Sequence, residues 1–146
     1  MRWRDNQHTT GWGRALRAKG ALARPETPDT LRAVAPAVGN RRSYGDAALN
    51  DAGKAVDMTR LDRIIAFDKA TGLLTVEAGI AIGEIARLFA PRGWLPAVMP
   101  GTGFATVGGC IAMDVHGKNH HHAGSFCQHV TEMTLIQQGK RHKVTP

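Results

Sequence analysis

Residues 100–109 read PGTGFATVGG, and this stretch indicates more about the fold than any other part of the sequence. Its glycines allow the backbone to approach a ligand or another segment closely. Thr106 is placed to cap a following helical turn and to direct unpaired backbone N–H groups at an anion. Two interpretations stay open for this loop. It is either a phosphate cradle or a glycine-rich connection that only packs tightly.

Two further loops contain glycine and polar residues. Residues 39–46 read GNRRSYGD, and residues 116–121 read HGKNHH. None of the three loops matches GxGxxG or GxxxxGK[ST], so neither a Rossmann nor a P-loop nucleotide site is supported. We refer below to residues 39–46, 100–109 and 116–122 as the first, second and third loops.

The segments around these loops are short and do not alternate regularly between strand and helix. Thr27-Pro28-Asp29 predicts a helix start, continued by Leu31, Val34 and Val38 at helical spacing. A second helix is predicted over residues 82–89, a helical turn over 110–113 and a loop over 117–125. Strands are predicted over residues 54–58, 64–67, 73–76, 130–136 and 141–144. This mixture favours an α+β fold over a doubly wound sheet.

Composition excludes several classes of protein. The chain has 146 residues and a net charge of +7, which suits an anionic partner. The basic residues are scattered, without a basic helix or zinc-finger spacing, so we expect no nucleic-acid partner. No apolar run reaches the roughly 18 residues of a membrane span. Residues 1–20 form a basic arm without an apolar signal region, and the two cysteines lack CxxC spacing, so we expect a cytoplasmic protein.

Four histidines lie within the third loop, at positions 116, 120, 121 and 122. His116 and His120 are four residues apart, a spacing that would place both on one helical face for a metal ion. Gly117 and the lack of apolar periodicity argue against a helix there, and no HExxH glutamate is present. We therefore expect no metal site, and we expect His121 and His122 to be solvated. His116, between Val115 and Gly117, is a credible pocket residue.

The three loops, in this order and spacing, resemble the FAD-binding domain of the vanillyl-alcohol oxidase superfamily. The resemblance covers residues 10–146 and is most specific in VHGKNHH and in the early TGWGR of residues 10–14. Within the superfamily, the chain is most similar to FAD-linked sugar oxidases that act on decaprenylphosphoryl ribose in cell-wall arabinan biosynthesis. The resemblance implies an α+β, PCMH-like fold of two subdomains with FAD between them, and oxidation of a sugar secondary alcohol to a ketone.

The resemblance also implies which residues form the site. His116 and Lys118 would face the substrate beside the isoalloxazine ring, as the catalytic residues. The FAD-binding residues would come from the first and second loops: Gly39, Asn40, Ser43, Tyr44 and Gly45, then Gly101, Thr102, Thr106, Gly108 and Gly109, with Cys110 and Met113 close by. Many relatives attach the flavin to a histidine where this chain has Asp46, so the FAD is expected to be non-covalent.

Three departures from the family pattern are visible. Arg41 replaces a glycine of the usual first loop and Val38 replaces an arginine; at positive φ, Arg41 would be strained by about 1 kcal/mol or more. The strand that leads into the loop is reduced to residues 36–38. Residues 21–95 are expected to form the first subdomain and 96–146 the start of a second, incomplete one.

The partners implied are a small-molecule or lipid-linked sugar substrate and, for turnover, a second chain supplying what is missing. A non-catalytic remnant or basic binding module, and an aldonolactone oxidase-like flavoenzyme, are the alternative functions.

Overall fold

The computed structural model describes residues 1–31 and 35–146 and has the expected α+β architecture. The strands are β1 (Trp3–Thr10), β2 (Arg17–Ala23), β3 (Ala37–Val38), β4 (Lys54–Asp57), β5 (Ile64–Phe67), β6 (Leu74–Val76), β7 (Met133–Gln137) and β8 (Lys140–Val144). The α-helices are α1 (Ile82–Phe89), α2 (Val107–Ala112) and α3 (His120–Ala123). Single 3₁₀ turns cover Pro28–Thr30, Ala90–Arg92 and Phe126–His129. No helix of these described ranges has the length and apolar character that crossing a membrane requires.

The N-terminal residues belong to a sheet, so the expectation of a separate basic arm over residues 1–20 is wrong. Four strands pair in the order β1-β2-β4-β3, with β1 antiparallel to β2 and the other two pairings parallel. β1 reads WRDNQHTT, which shows no alternation of apolar and polar residues. Its strand conformation therefore comes from pairing with β2, which a sequence pattern does not reveal.

The helix predicted from Thr27 is also wrong in its extent. Only Pro28–Thr30 form a turn, and Leu31 is already extended at ψ 134°. Val38 lies in β3 rather than on a helical face, and Val34 lies outside the described residues. The residue before a proline is disfavoured in the α region, so Pro36 works against a helix that reaches Val38. β3 has two residues, in agreement with the shortened strand expected there.

The main core is built on α1, and its predicted bounds are confirmed. Ile82, Ile85 and Phe89 form the buried face of this helix. They pack with Ile80 and Cys110. The rings of Phe67 and Trp94 extend the cluster, with the Phe67–Phe89 centroids 4.7 Å apart. The chain leaves the helix through Gly93 at φ 81°, a conformation that glycine adopts without strain.

The hairpin predictions are confirmed with shifted ends. β5 pairs with β6 around Asp68, whose carboxylate accepts hydrogen bonds from Ala70 N and Thr71 Oγ1. β7 pairs with β8, but β7 begins at Met133 because residues 126–129 form a 3₁₀ turn.

The predicted helical turn after the second loop is present as α2, but the prediction of a loop throughout 117–125 is wrong. α3 begins after Gly117, at His120, so the glycine does not interrupt it. The N–H groups of His122 and Ala123 both donate to the Asn119 carbonyl and close this single turn. The subdomain boundary near residue 95 stays a prediction.

A buried carboxylate joins the sheet to the segment after it. Asp57 ends β4 and is completely buried. Its Oδ2 accepts two hydrogen bonds from Arg24, at 2.7 and 3.1 Å. Its Oδ1 accepts from the N–H and hydroxyl of Thr59. Burial alone would raise the pKa of Asp57, but the hydrogen bonds from Thr59 and Arg24 outweigh it and hold the pKa below its ordinary value.

We expect Asp57→Asn to lower the free energy of unfolding by about 1–3 kcal/mol at neutral pH, because an amide N–H₂ would then face the Arg24 guanidinium. In the native protein this contribution is present above the ordinary carboxyl pKa of 3.8 and is lost as the pH falls through the lower folded value. Urea unfolding at neutral and acidic pH measures both effects. Asp62→Asn, at an exposed carboxylate, is the control and should leave the pH dependence unchanged. Equal acid sensitivity in native protein and Asp57→Asn would contradict the expectation.

Candidate functional site

The first and second loops contact each other directly. Gly39 lies against Thr106, so close that a Cβ at position 39 would stand 2.2 Å from Thr106 Oγ1. The Asn40 side-chain amide donates to the Phe104 carbonyl at 2.9 Å. The sequence separates these partners by more than sixty residues. The fold therefore brings together the two loops that sequence analysis singled out independently.

Thr106 caps α2 as expected, but the helix start does not offer unpaired N–H groups. Thr106 Oγ1 accepts from Gly109 N at 3.3 Å. The N–H groups of Val107 and Gly108 donate to the carbonyls of Ile80 and Ala78, at 2.9 and 2.8 Å. The idea that this turn directs its N–H groups at an anion is therefore wrong. Those donors dock α2 onto the core instead.

The unengaged donors are found in the first loop. Within the described residues, no backbone N–H from Gly39 to Gly45 donates a hydrogen bond. Tyr44 is 84% exposed, and a Cβ at Gly45 would meet no atom within 4 Å. Successive N–H groups without partners form a surface that suits an anion. This part of the chain, rather than the helix start, has unengaged backbone N–H groups that could donate hydrogen bonds to an anion.

Two arginines within the first loop also have unsatisfied donors. In the described chain, Nε and Nη2 of Arg41 and Nε of Arg42 are buried without a hydrogen-bond partner. Arg41 has φ 52°, so the strain expected for a residue other than glycine is present. Its Nη2 lies 3.8 Å from Asp57 Oδ2, close enough for attraction but too long for a hydrogen bond. The two guanidinium groups therefore bring positive charge to the first loop, which favours an anion nearby.

The third loop is attached to the segment just before the second. The Asn119 side-chain amide donates to the Ala97 carbonyl at 3.0 Å. Gly117 is buried against Met99, where a Cβ would stand 2.5 Å from the carbonyl oxygen. His116 and Lys118 on either side of Gly117 are exposed. The loop therefore holds both predicted catalytic side chains at the surface from a fixed backbone.

The histidine rings form a row rather than a metal centre. The His116 and His120 centroids are 5.3 Å apart, and those of His120 and His121 are 4.0 Å apart. His120 Nδ1 lies 3.0 Å from the Gly117 carbonyl, which only accepts, so this nitrogen carries a hydrogen. Over residues 1–31 and 35–146, no group of three or more His, Cys, Asp or Glu side chains is arranged to hold a metal ion.

The other predicted cofactor residues have different environments. Cys110 is completely buried in the core, and burial raises the pKa of its thiol to about 11. Met113 is 61% exposed at the end of α2, and Gly101 is open to solvent. Thr102 Oγ1 accepts from Phe104 N at 3.2 Å and shapes the turn of the second loop. The Cys110 side chain therefore serves packing, whereas Gly101 and Met113 are accessible.

Sequence reasoning assigned no role to Trp12, Arg42 or Phe104, which meet where the first and second loops join. The Arg42 guanidinium lies over both aromatic rings. The backbone N–H of Trp12 donates to the Ser43 carbonyl at 3.1 Å. The signal available in the sequence was the TGWGR segment, which the resemblance marked as specific without a physical role.

An open cavity of about 470 Å³ lies elsewhere, along the four-stranded sheet. It contains none of the predicted site residues; its lining is Asp5, Asn6, Lys19, Gly20, Ala21, Ala52, Gly53 and Lys54. The geometry of the loops, rather than a closed cavity, defines the candidate site.

Comparison with known proteins agrees with this geometry. Residues 20–144 match the family model described as an FAD binding domain. The chain is 40% identical to decaprenylphosphoryl-beta-D-ribose oxidase of Mycolicibacterium smegmatis over 149 aligned positions, which cover 93% of this chain and 32% of that protein. It is 34% identical to L-gulono-1,4-lactone dehydrogenase of Mycobacterium tuberculosis over 90 positions, or 55% of this chain and 21% of the relative. The chain thus spans about a third or less of the length of these relatives.

Solved structures give the same fold. An alkyldihydroxyacetonephosphate synthase superposes with a TM-score of 0.77 at 14% identity, over 88% of this chain and 26% of that one. At this identity the likeness concerns the fold alone. With the family model matching residues 20–144, the chain belongs to the FAD binding domain family, and its cofactor is FAD.

Proposed function

We propose that this chain provides the FAD-binding loops of an oxidoreductase that oxidises a secondary alcohol of a sugar, with decaprenylphosphoryl ribose as the substrate class. The observation that carries the proposal is the contact of the first loop with the second, at Gly39–Thr106 and Asn40–Phe104. The 40% identity to decaprenylphosphoryl-beta-D-ribose oxidase over nearly the whole chain supports the substrate class.

The first loop is assigned to the phosphates of FAD. Its N–H groups from Gly39 to Gly45 are unengaged within the described residues, and Arg41 and Arg42 bring positive charge to the same segment. The accessible part of the second loop, around Gly101 and Thr102, forms the adjoining wall. Asp46 offers no nucleophilic ring nitrogen for a flavin bond, which supports non-covalent binding.

The third loop is assigned to the substrate side. When bound, FAD would supply the acceptor for a hydride from the alcohol carbon, and a side chain on this side would take the hydroxyl proton. Lys118 and His116 are exposed on a backbone fixed at Gly117 and Asn119. A lysine ammonium there favours both a phosphate-bearing substrate and the negative charge that accumulates on reduction.

A second candidate is oxidation of an aldonolactone. The match to L-gulono-1,4-lactone dehydrogenase favours it, although that match covers only 55% of the chain. The two candidates differ in the alcohol they oxidise and not in the cofactor.

Cofactor retention is the first test. The purified chain, dialysed against excess FAD and desalted, is expected to keep a visible flavin spectrum and to release all flavin on denaturation. Colourless protein would overturn the proposed function, and flavin that stays with denatured protein would contradict non-covalent binding. With the second chain that turnover is expected to require, anaerobic bleaching by a short-chain polyprenylphosphoryl ribose, compared with L-gulono-1,4-lactone, separates the two substrate classes.

The contact between the two loops gives a second test. Gly39→Ala is expected to weaken FAD binding at least tenfold and to lower the free energy of unfolding by about 1–3 kcal/mol, because its methyl group overlaps Thr106 Oγ1. Gly20→Ala is the control, because its added Cβ overlaps the Gly53 carbonyl in the four-stranded sheet, away from the three loops. It is expected to lower stability but to leave FAD affinity unchanged, as calorimetric FAD titration and urea unfolding will measure. Equal losses of FAD affinity in the two variants would show that a general loss of stability, and not the Gly39–Thr106 contact, weakens binding.

The role of Lys118 gives a third test. Lys118→Met is expected to make the reduction potential of the bound flavin more negative, because a cation that stabilises the reduced ring is removed. Lys140→Met, at an exposed lysine in β8, is the control and should leave the potential unchanged. The potential is measured by equilibration with a redox dye. The same potential in Lys118→Met and the native protein would place Lys118 away from the flavin ring.

A further inference from the structure

One guanidinium joins three segments that are distant in sequence. The Arg42 Cζ lies 4.7 Å from the centroid of the Trp12 ring and 4.9 Å from that of Phe104. Trp12 belongs to the turn between β1 and β2, Arg42 to the first loop and Phe104 to the second loop. We call this arrangement the Arg42 stack.

Hydrogen bonds to backbone carbonyls fix the segments on both sides of the stack. The Trp12 N–H donates to Ser43 O at 3.1 Å, and Asn40 Nδ2 donates to Phe104 O at 2.9 Å. Gly11 approaches Gly45 so closely that a Cβ would stand 2.8 Å from its carbonyl oxygen. Both rings are therefore held near Arg42 by more than the stack itself.

The aromatic rings are the contacts that hold the Arg42 guanidinium. Its Nε is buried without a hydrogen-bond partner, and none of the salt bridges among the described residues includes Arg42. A planar guanidinium is attracted to aromatic faces, a geometry that a lysine ammonium does not reproduce. The rings remain 49% and 62% exposed, so the outer side of the stack faces solvent.

We propose that Arg42 is a positioning residue that clamps residues 11–14 onto the first and second loops and thereby slows the release of FAD. Arg42 lies in the middle of the unengaged N–H groups of residues 39–45, so the stack holds that run in one conformation before the cofactor binds. Preorganised donors bind more tightly because less freedom is lost on binding. The match to the family model begins at residue 20. Trp12 therefore lies outside the matched residues, although it contacts Arg42 within them. The proposal rests on FAD binding as proposed above.

The test uses variants that retain the charge or one ring. Arg42→Lys keeps the charge but loses the planar stack, and Trp12→Leu removes one ring. We expect both to release FAD roughly five- to tenfold faster in stopped-flow displacement. The double variant is expected to be no faster than either single one, because both break the same contact. Trp12→Phe, which keeps an aromatic ring for Arg42 to contact, is expected to release FAD as slowly as the native protein.

Trp3→Leu is the matched control, because Lys54 Nζ lies 5.3 Å from the Trp3 ring centroid at the four-stranded sheet. It should leave FAD release unchanged. Hydrogen exchange of the cofactor-free chain gives a readout that does not require FAD. Arg42→Lys is expected to speed exchange of the Trp12 and Arg14 amides, which donate to Ser43 O and Gly11 O, while α1 keeps its protection and confirms that the variant is folded.

The outcomes separate this proposal from the proposed function. Native protein that retains no FAD overturns the proposed function, and the exchange measurement then decides the clamp alone. Unchanged exchange in Arg42→Lys overturns the clamp in either case. Faster exchange with unchanged FAD release, or strictly additive effects in the double variant, overturns the role of the stack in holding the cofactor.

Discussion

The site depends on the absence of a side chain at Gly39, which allows the first loop to lie directly on Thr106. Thr106 is buried and has two further contacts: its hydroxyl caps α2, and its carbonyl accepts from Cys110 N. The helix it caps is attached to the core through the carbonyls of Ala78 and Ile80. The position of the first loop is thus set by the same residue that anchors α2. A shift at Thr106 would move the loop and the core contact together.

The charges near β4 explain how the first loop tolerates an arginine at positive φ. Asp57 is fully buried and already accepts hydrogen bonds from Arg24 and Thr59. Arg41 brings a second cation to within 3.8 Å of the same carboxylate. This attraction offsets part of the conformational cost of about 1–2 kcal/mol for a left-handed residue. The buried Arg41 Nε and Nη2 atoms have no hydrogen-bond partner, so the positive charge of Arg41 is only partly compensated by Asp57.

Much of the fold could be predicted where a local pattern is sufficient. Apolar spacing fixed the bounds of α1, and the turn chemistry at Asp68 indicated the β5–β6 hairpin. The apolar spacing gave wrong predictions where pairing between β-strands determines the backbone conformation. β1 has no apolar alternation and is a strand only because β2 lies beside it, while Val38 has helical spacing by coincidence and pairs with β4.

The candidate site was also predictable only in part. Sequence could propose that the loops share a ligand, since each contains glycine and polar residues, but it could not show which backbone donors are engaged. It assigned the phosphate contact to the start of α2, a common arrangement for helices. The carbonyls that occupy those donors, at Ala78 and Ile80, lie more than twenty residues earlier and reach α2 only through the tertiary fold.

The source of the anion-binding donors also determines how the site should respond to change. A helix start keeps its N–H groups aligned through the hydrogen bonds of the helix itself, whereas the first loop has no such internal support. Its conformation is maintained by contacts with other segments: Gly39 lies on Thr106, Arg42 lies over the Trp12 and Phe104 rings, and the Ser43 carbonyl accepts from the Trp12 backbone N–H. These contacts join the first loop to residues 11–14 and to the second loop. We therefore expect cofactor affinity in this chain to depend on how these three segments pack, and substitutions that never touch the cofactor should change it.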